Sequence, residues 1–263
     1  MSSEKSNSEK TLITLLTYNE IENLPDLVDA IFQIAPDCDL LVVDDNSPDG
    51  TGRWCDERAA TEPRLKCLHR EGKLGLGTAT IAAMRYAIEH GYRYMLNLDA
   101  DFSHPPKYIP HLRSAMGAAD STENGADVAI GSRYVPGGGV EGWGWKRKFM
   151  SFGVNTYARL LLGLPPKDCS GAFRCFRVAI LEKIDFQAVR SRGYSFQEEI
   201  LWHLKQQHAR FVEIPFVFVD RTRGSSKINK KEAVAALWHL FALGVKRLRP
   251  GKKSGTTKAA SAS

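Results

Sequence analysis

Residues 11 to 133 predict an α/β protein with a mostly parallel sheet flanked by helices. Short apolar runs alternate with stretches of helical periodicity, and a strand–helix–strand order with connections of this length gives parallel pairing. The runs lead into charged residues (Glu20, Asp44, Asp45, Asp99, Asp101 and Arg133), which a parallel sheet would collect along its carboxyl edge. Composition agrees, since 43% apolar and 25% charged residues are ordinary for a soluble globular chain.

Residues 11–16 read as a first buried strand, with Thr17-Tyr18-Asn19-Glu20 as the loop at its end. Leu24, Leu27, Val28 and Ile31 have the spacing of a helix, and residues 40–43 form a second strand. That strand runs into Asp44 to Thr51, which is dense in turn formers, and Thr51 is expected to cap the helix that contains Trp54. Residues 67–69 suggest a third strand, and a glycine-rich loop from Gly72 to Gly77 precedes a helix through Met84 and Ile88. This loop has neither P-loop nor dinucleotide-fingerprint spacing, so a tight turn is the preferred reading. A strand then ends at Asp99 and Asp101, a helix covers about 105–116, and residues 127–133 form a strand ending in a cation.

The second half is less regular. Residues 137–145 read as a loop with two exposed aromatics, Trp143 and Trp145, before a helix running to about Leu162. Asp168 to Arg174 leads into a short strand or turn, Tyr194 to Glu199 opens a helix, and residues 212–219 form one strand ending at Asp220-Arg221. A last helix covers about 230–248. The expected organisation is a disordered N-terminus (1–10), one catalytic domain (11–228), an amphipathic helix (229–249) and a basic disordered tail (250–263).

Five cysteines without metal-site spacing point to reduced thiols, and the polar first ten residues contain no signal peptide. The net charge of +6 suggests an anionic partner. A nucleic-acid-binding protein would also be basic, but acidic residues at successive strand ends argue against it, so no nucleic-acid partner is expected.

Asp99 and Asp101, two apart at a strand end, would point the same way and repel unless something positive lies between them. A hard divalent cation with oxygen ligands meets that need. Asp44 and Asp45 could bond the following turn or accept from a ribose or base. Arg133, Arg147, Arg221 and Lys227 are either solvated charges or phosphate clamps. His104 reads as structural, and neither a Ser-His-Asp nor a Cys-His arrangement is legible.

Tyr18-Asn19-Glu20, Asp44 to Thr51, Gly75 to Thr78, Asp99 to Pro106, Gly131 to Tyr134, Gly138 to Trp143, Ser170 to Arg174 and Asp220 to Lys227 closely resemble the dolichol-phosphate mannose synthases. The likeness is collinear over about residues 11 to 230. It implies an inverting family 2 glycosyltransferase with a GT-A fold, a Rossmann-like nucleotide-diphospho-sugar transferase. It also implies GDP-mannose as donor, a polyprenyl or dolichyl phosphate as acceptor, and Mg²⁺ or Mn²⁺ on the donor diphosphate.

By position, Tyr18, Glu20, Asp44 and Asp45 would surround the nucleotide, with Asp99 and Asp101 at the metal. Ser103 stands where some members supply Gln as a metal ligand. Arg133, Arg147 and Ser151 match acceptor-phosphate positions, and Arg221 and Lys227 match a loop that closes over the site. A rival reading is a transferase using UDP-glucose on the same kind of lipid.

The acceptor requires a membrane surface, yet the apolar run at 233–245 is shorter than the ~20 residues that span a bilayer. Val234, Leu237, Phe241, Val245 and Leu248 share one helical face ahead of a basic tail. That face either packs on the domain or lies on anionic lipid. The chain resembles the type without its own transmembrane helices, peripheral on a cytosolic membrane face. Some relatives borrow small transmembrane partner subunits.

Overall fold

The computed structural model describes residues 10–117, 125–193, 195–221 and 230–248. Lys227 and the basic tail therefore lie outside the described residues. A seven-stranded sheet has the order β3-β2-β1-β4-β7-β5-β8. Its strands are β1 (Thr11–Thr17), β2 (Asp39–Asp44), β3 (Leu65–His69), β4 (Tyr94–Asp99), β5 (Val128–Ser132), β7 (Arg174–Arg177) and β8 (Phe211–Pro215). A separate parallel pair joins β6 (Gly139–Glu141) to β9 (Val217–Val219).

All neighbours in the large sheet are parallel except β7, which runs antiparallel to both β4 and β5. Asn97 and Ile130 both face Arg174 across β7, so two residues later Asp99 and Ser132 end at the same height.

Side-chain alternation gives each face of the sheet its own core. Leu12, Leu41 and Met95 pack beneath α3 (Leu76–Glu89), α5 (Trp145–Leu162), α6 (Val178–Leu181) and α7 (Phe196–Gln206). Ile13, Leu40 and Leu96 pack beneath α1 (Leu24–Ile34), α2 (Thr51–Ala59) and α4 (Ile109–Ala115). Burial on both faces explains why the central strands are continuous apolar runs.

Several expectations need correction. Thr51 is the first residue of α2 rather than its cap; Gly50 takes that place with a φ of 92°, and the Thr51 hydroxyl instead donates to Asp49. The 105–116 helix begins with a 3-10 turn at Pro106–Tyr108. The single strand at 212–219 divides at Phe216, whose neighbour Pro215 has no N–H for a continuing ladder. Trp143 is partly buried against Phe218, with ring centroids 5.1 Å apart, whereas Trp145 is exposed as expected.

The C-terminal helix α8 (Lys230–Leu248) packs on α5 and α7, through a face other than that of Leu237 and Phe241. Leu240 and Leu243 are buried, while Leu237, Trp238 and Phe241 are exposed. A hydrogen bond to a buried carboxylate sets this rotation: His239 Nε2 lies 2.9 Å from Glu199 Oε2 of α7.

Candidate active site

The carboxyl ends of β1, β2, β4 and β5 share one edge, and the β6–β9 pair is tied to it by a bond from Val219 N–H to the Ser103 carbonyl. Three non-glycine residues in these tip loops have left-handed backbones: Asn19, Asn46 and Phe102, with φ of 58°, 56° and 62°. Phe102, between Asp101 and Ser103, lacks the short polar side chain that eases this conformation. Strain of this kind collects at functional loops.

At the β4 tip, Asp99 is the last strand residue and Asp101 lies in the turn beyond it. Strand alternation therefore does not align the pair; the turn does. The Asp99 N–H donates to His104 Nδ1 at 2.9 Å. His104 is stacked on Phe173, and burial holds its imidazole below the ordinary range, so it is a neutral support, as expected. The Asp101 carboxylate accepts from the Ser103 N–H at 3.1 Å and lies 3.4 Å from Arg221. Enclosure raises the Asp99 carboxyl; His104 opposes this and Asp101 adds to it. The shift is moderated because 41% of the Asp99 side chain remains open to solvent.

Ser103 decides whether a divalent ion fits. The residue is 1% exposed and its Oγ has no hydrogen-bond partner among the described residues. An orphaned hydroxyl on the residue whose N–H holds Asp101, in the turn that follows Asp99, gives an all-oxygen donor set of the kind hard cations take.

The second group of predicted residues surrounds Arg133. Its Nε and Nη2 each donate to Asp168 at 2.7 Å, and Nη2 also reaches Ser170 Oγ at 2.9 Å. Burial would raise the Asp168 carboxyl, but Arg133 outweighs it and holds the group below its usual range. Trp143 lies between the two arginines, its ring centroid 5.7 Å from the Arg133 guanidinium carbon and 4.0 Å from that of Arg147. Arg147 also pairs with Asp220 at 2.8 Å, next to Arg221. The Ser151 hydroxyl shares a 2.7 Å hydrogen bond with Tyr134. Arg133, Arg147, Ser151 and Arg221 are thus brought into one cationic, aromatic-lined region.

The third group is at the β1 and β2 tips. Asp44 accepts from Thr17, from the Ser47 hydroxyl at 2.6 Å and from the Ser47 N–H at 3.0 Å, so it organises the turn. Asp45 pairs with Arg70 at 2.6 Å, and Arg70 also donates to Thr78. Burial raises the Asp45 carboxyl, against the pull of Arg70. The Glu20 side chain accepts from Asn23 at 3.1 Å while its N–H donates to Thr51. Lys73 Nζ stands 4.9 Å from the Tyr18 ring.

Sequence reasoning missed Asp168 and Arg70 as charge partners, together with a buried cluster at the start of α7. Arg174 is fully buried and donates to the Gln197 carbonyl at 2.7 Å. Among the described residues, Arg174 Nε, Gln197 Nε2 and Glu198 Oε2 have no partner. Burial pushes the Glu198 carboxyl up to about 7. The available signal was Glu198-Glu199 at a helix start, which reads equally as a surface macrodipole pair.

The model of glycosyl transferase family 2 matches residues 13–185. The chain belongs to that family. Among curated relatives of this glycosyltransferase, the polyprenol monophosphomannose synthase of Mycolicibacterium smegmatis is 41% identical over 240 residues, covering 91% of this chain and 88% of its own. The undecaprenyl-phosphate mannosyltransferase of Micrococcus luteus is 42% identical over 220 residues, covering 84% and 88%.

Solved family-like folds include glucosyl-3-phosphoglycerate synthase from Mycobacterium tuberculosis in complex with Mn²⁺, UDP and phosphoglyceric acid. It has a TM-score of 0.63 at 16% identity, covering 93% of this chain and 80% of that one. A mannosyltransferase from Pyrobaculum calidifontis in complex with GDP-Man and Mn²⁺ gives 0.56 at 18% identity, covering 92% and 65%. These likenesses show the fold, which is GT-A, a mostly parallel α/β sheet flanked by helices.

Proposed function

We propose that this glycosyltransferase moves mannose from GDP-mannose to a polyprenyl or dolichyl phosphate, with inversion at the anomeric carbon. The observation that carries the reading is one sheet edge holding an all-oxygen carboxylate group, Asp99, Asp101 and Ser103, beside Arg133, Arg147 and Arg221. The substrate names of the relatives that are 41–42% identical supply the donor sugar and the acceptor.

The chemistry needs no side-chain nucleophile. A phosphate monoester has a second pKa of about 6 and is largely a dianion at neutral pH. It attacks the anomeric carbon directly, so the protein's task is to position two anions and stabilise charge. Arg133, fixed by Asp168, and Arg147, stacked on Trp143, hold the incoming phosphate, with Ser151 and Tyr134 beneath it. Tyr18, Glu20, Asp44 and Asp45 shape the nucleotide side, and Arg221 supplies a cation for the diphosphate, a role the family likeness extends to Lys227. Asp99, Asp101 and Ser103 would hold Mg²⁺ or Mn²⁺, which when bound neutralises the leaving diphosphate as a Lewis acid.

The lipid requires a membrane surface, and no helix of the described residues is long and apolar enough to cross one. Trp145, Phe149, Met150 and Phe152 at the start of α5 are more than half exposed, with Lys146, Arg147 and Lys148 among them. Apolar side chains interleaved with cations suit an anionic lipid interface. Peripheral attachment at the cytosolic face follows from this reading, and small membrane subunits are candidate helpers.

The test is transfer from GDP-mannose to polyprenyl phosphate by purified protein, with metal present and chelated, and with UDP-glucose as a parallel donor. Metal-dependent β-mannosyl lipid is expected. Glucosyl lipid formed at an equal or higher rate would overturn the donor assignment, and transfer undiminished by chelation would overturn the metal.

A further inference from the structure

A second cluster of metal-ligating side chains lies away from the edge just described, where α2 crosses the outer strand β3. Cys67 and His69 are two apart on β3 and therefore project from the same side. Asp56 comes down from α2 to meet them. One ligand atom from each of Asp56, Cys67 and His69 lies within 4.8 Å of the others, and His69 Nε2 is already 2.9 Å from Asp56 Oδ1. The thiol of Cys55, one residue before Asp56, is buried and reaches the Lys66 carbonyl of β3 at 4.0 Å. The fold brings α2 this close by placing Gly52 over the strand pair: a Cβ there would sit 2.9 Å from Asp44 Oδ2 and 3.1 Å from His69 Cε1.

We infer that Asp56, Cys67 and His69 form a second metal site, specific for a borderline-soft divalent ion of the Zn²⁺ type. A thiolate, an imidazole and a carboxylate are zinc's preferred donors, whereas Mg²⁺ and Mn²⁺ favour oxygen. The chemistry therefore separates this site from the all-oxygen group at Asp99. Tetrahedral zinc with bonds of about 2.0–2.3 Å sets its ligands about 3.3–3.8 Å apart. The widest separation has to close by about 1 Å and the imidazole–carboxylate pair to open slightly, with water in the fourth position.

Binding replaces the Cys67 thiol proton with the metal and releases that proton to solvent. The His69 proton moves to Nδ1, freeing Nε2 to coordinate. The ion would clip α2 to the outermost strand behind the Asp44 turn, and so act on the stability of the nucleotide side rather than on bond breaking. The inference does not depend on the proposed reaction.

The experiment is titration of metal-free, full-length protein with Co²⁺, followed by displacement with Zn²⁺. A near-ultraviolet thiolate-to-cobalt charge-transfer band is expected to saturate at a single equivalent, and oxygen-only ligands cannot give it. Zn²⁺ should remove the band and raise the unfolding temperature. Cys67→Ser should abolish both effects while leaving glycosyl transfer unchanged, and His69→Gln and Asp56→Asn should weaken binding by about tenfold or more. Asp101→Asn should leave the band intact. No band in excess Co²⁺, or a band that survives in folded Cys67→Ser protein, would overturn the site.

Discussion

Asp101 carries the sharpest expectation at the scale of single residues. It accepts from Ser103 and faces Arg221, so Asp101→Asn removes charge where the diphosphate is to be neutralised without emptying the space. Transfer should fall by about 10²–10³-fold or more in a protein with an unchanged circular dichroism spectrum. Asp168→Asn acts differently, because the lost carboxylate is wholly buried and Arg133 nearly so. Stranding that guanidinium should cost about 3–5 kcal/mol, read by urea unfolding.

The two shifted carboxyls have opposite pH signatures. Asp168 is held below its usual range, so its stabilisation is full above the ordinary carboxylate pKa and is lost as acidification passes its folded value. Glu198 is raised from 4.5 to about 7, so the folded state holds its proton more tightly than the unfolded one. Stability should therefore decline as pH rises through that interval. Glu198→Gln should be more stable than the parent at pH 8 by on the order of 2–3 kcal/mol, with little difference at pH 4.5. Asp99, Asp101 and Arg133 were legible because each stands where an apolar run stops. Asp168 was not, because the residue it serves is 35 positions away and nothing local distinguishes it from a loop acid.

Among the elements, α8 shows where periodicity alone does not choose the buried face. Leu237 and Phe241 of the notional apolar stripe of α8 are exposed, because His239 reaches Glu199 and turns Leu240 and Leu243 inward instead. A helix's buried face is chosen by the polar contact that must be satisfied as well as by the count of apolar positions. In α5 the exposed aromatics and Met150 cluster in the first two turns, next to Arg147. The double variant Phe149→Glu, Phe152→Glu should lose most binding to anionic vesicles in flotation while retaining its unfolding temperature, since neither side chain is buried. Unchanged flotation would remove α5 from the interface. The strand break at Pro215 was misread for a related reason: both halves are apolar, and only the pairing partner changes, from β5 to β6.

For the whole molecule, a net charge of +6 adds an electrostatic component to the proposed membrane attachment. Vesicle binding should weaken several-fold as salt is raised from low to physiological strength, where the Debye length is about 8 Å, and it should need anionic lipid. The parallel core was readable from alternation alone, but the order of the strands was not. β7 is only four residues long and arrives from a loop, so nothing in its composition announces that it inserts in reverse between β4 and β5.

That reversed strand has a consequence for stereochemistry. It keeps the strand ends Asp99 and Ser132, the latter just before Arg133, two sheet spacings apart, about 9–10 Å, at a common height. In the proposed reaction the departing group is drawn to one side of this gap and the attacking oxygen enters from the other, so the sugar is approached from behind. The mirror-image sense of the product at its linking carbon would then be written into the strand order, before any single side chain is considered.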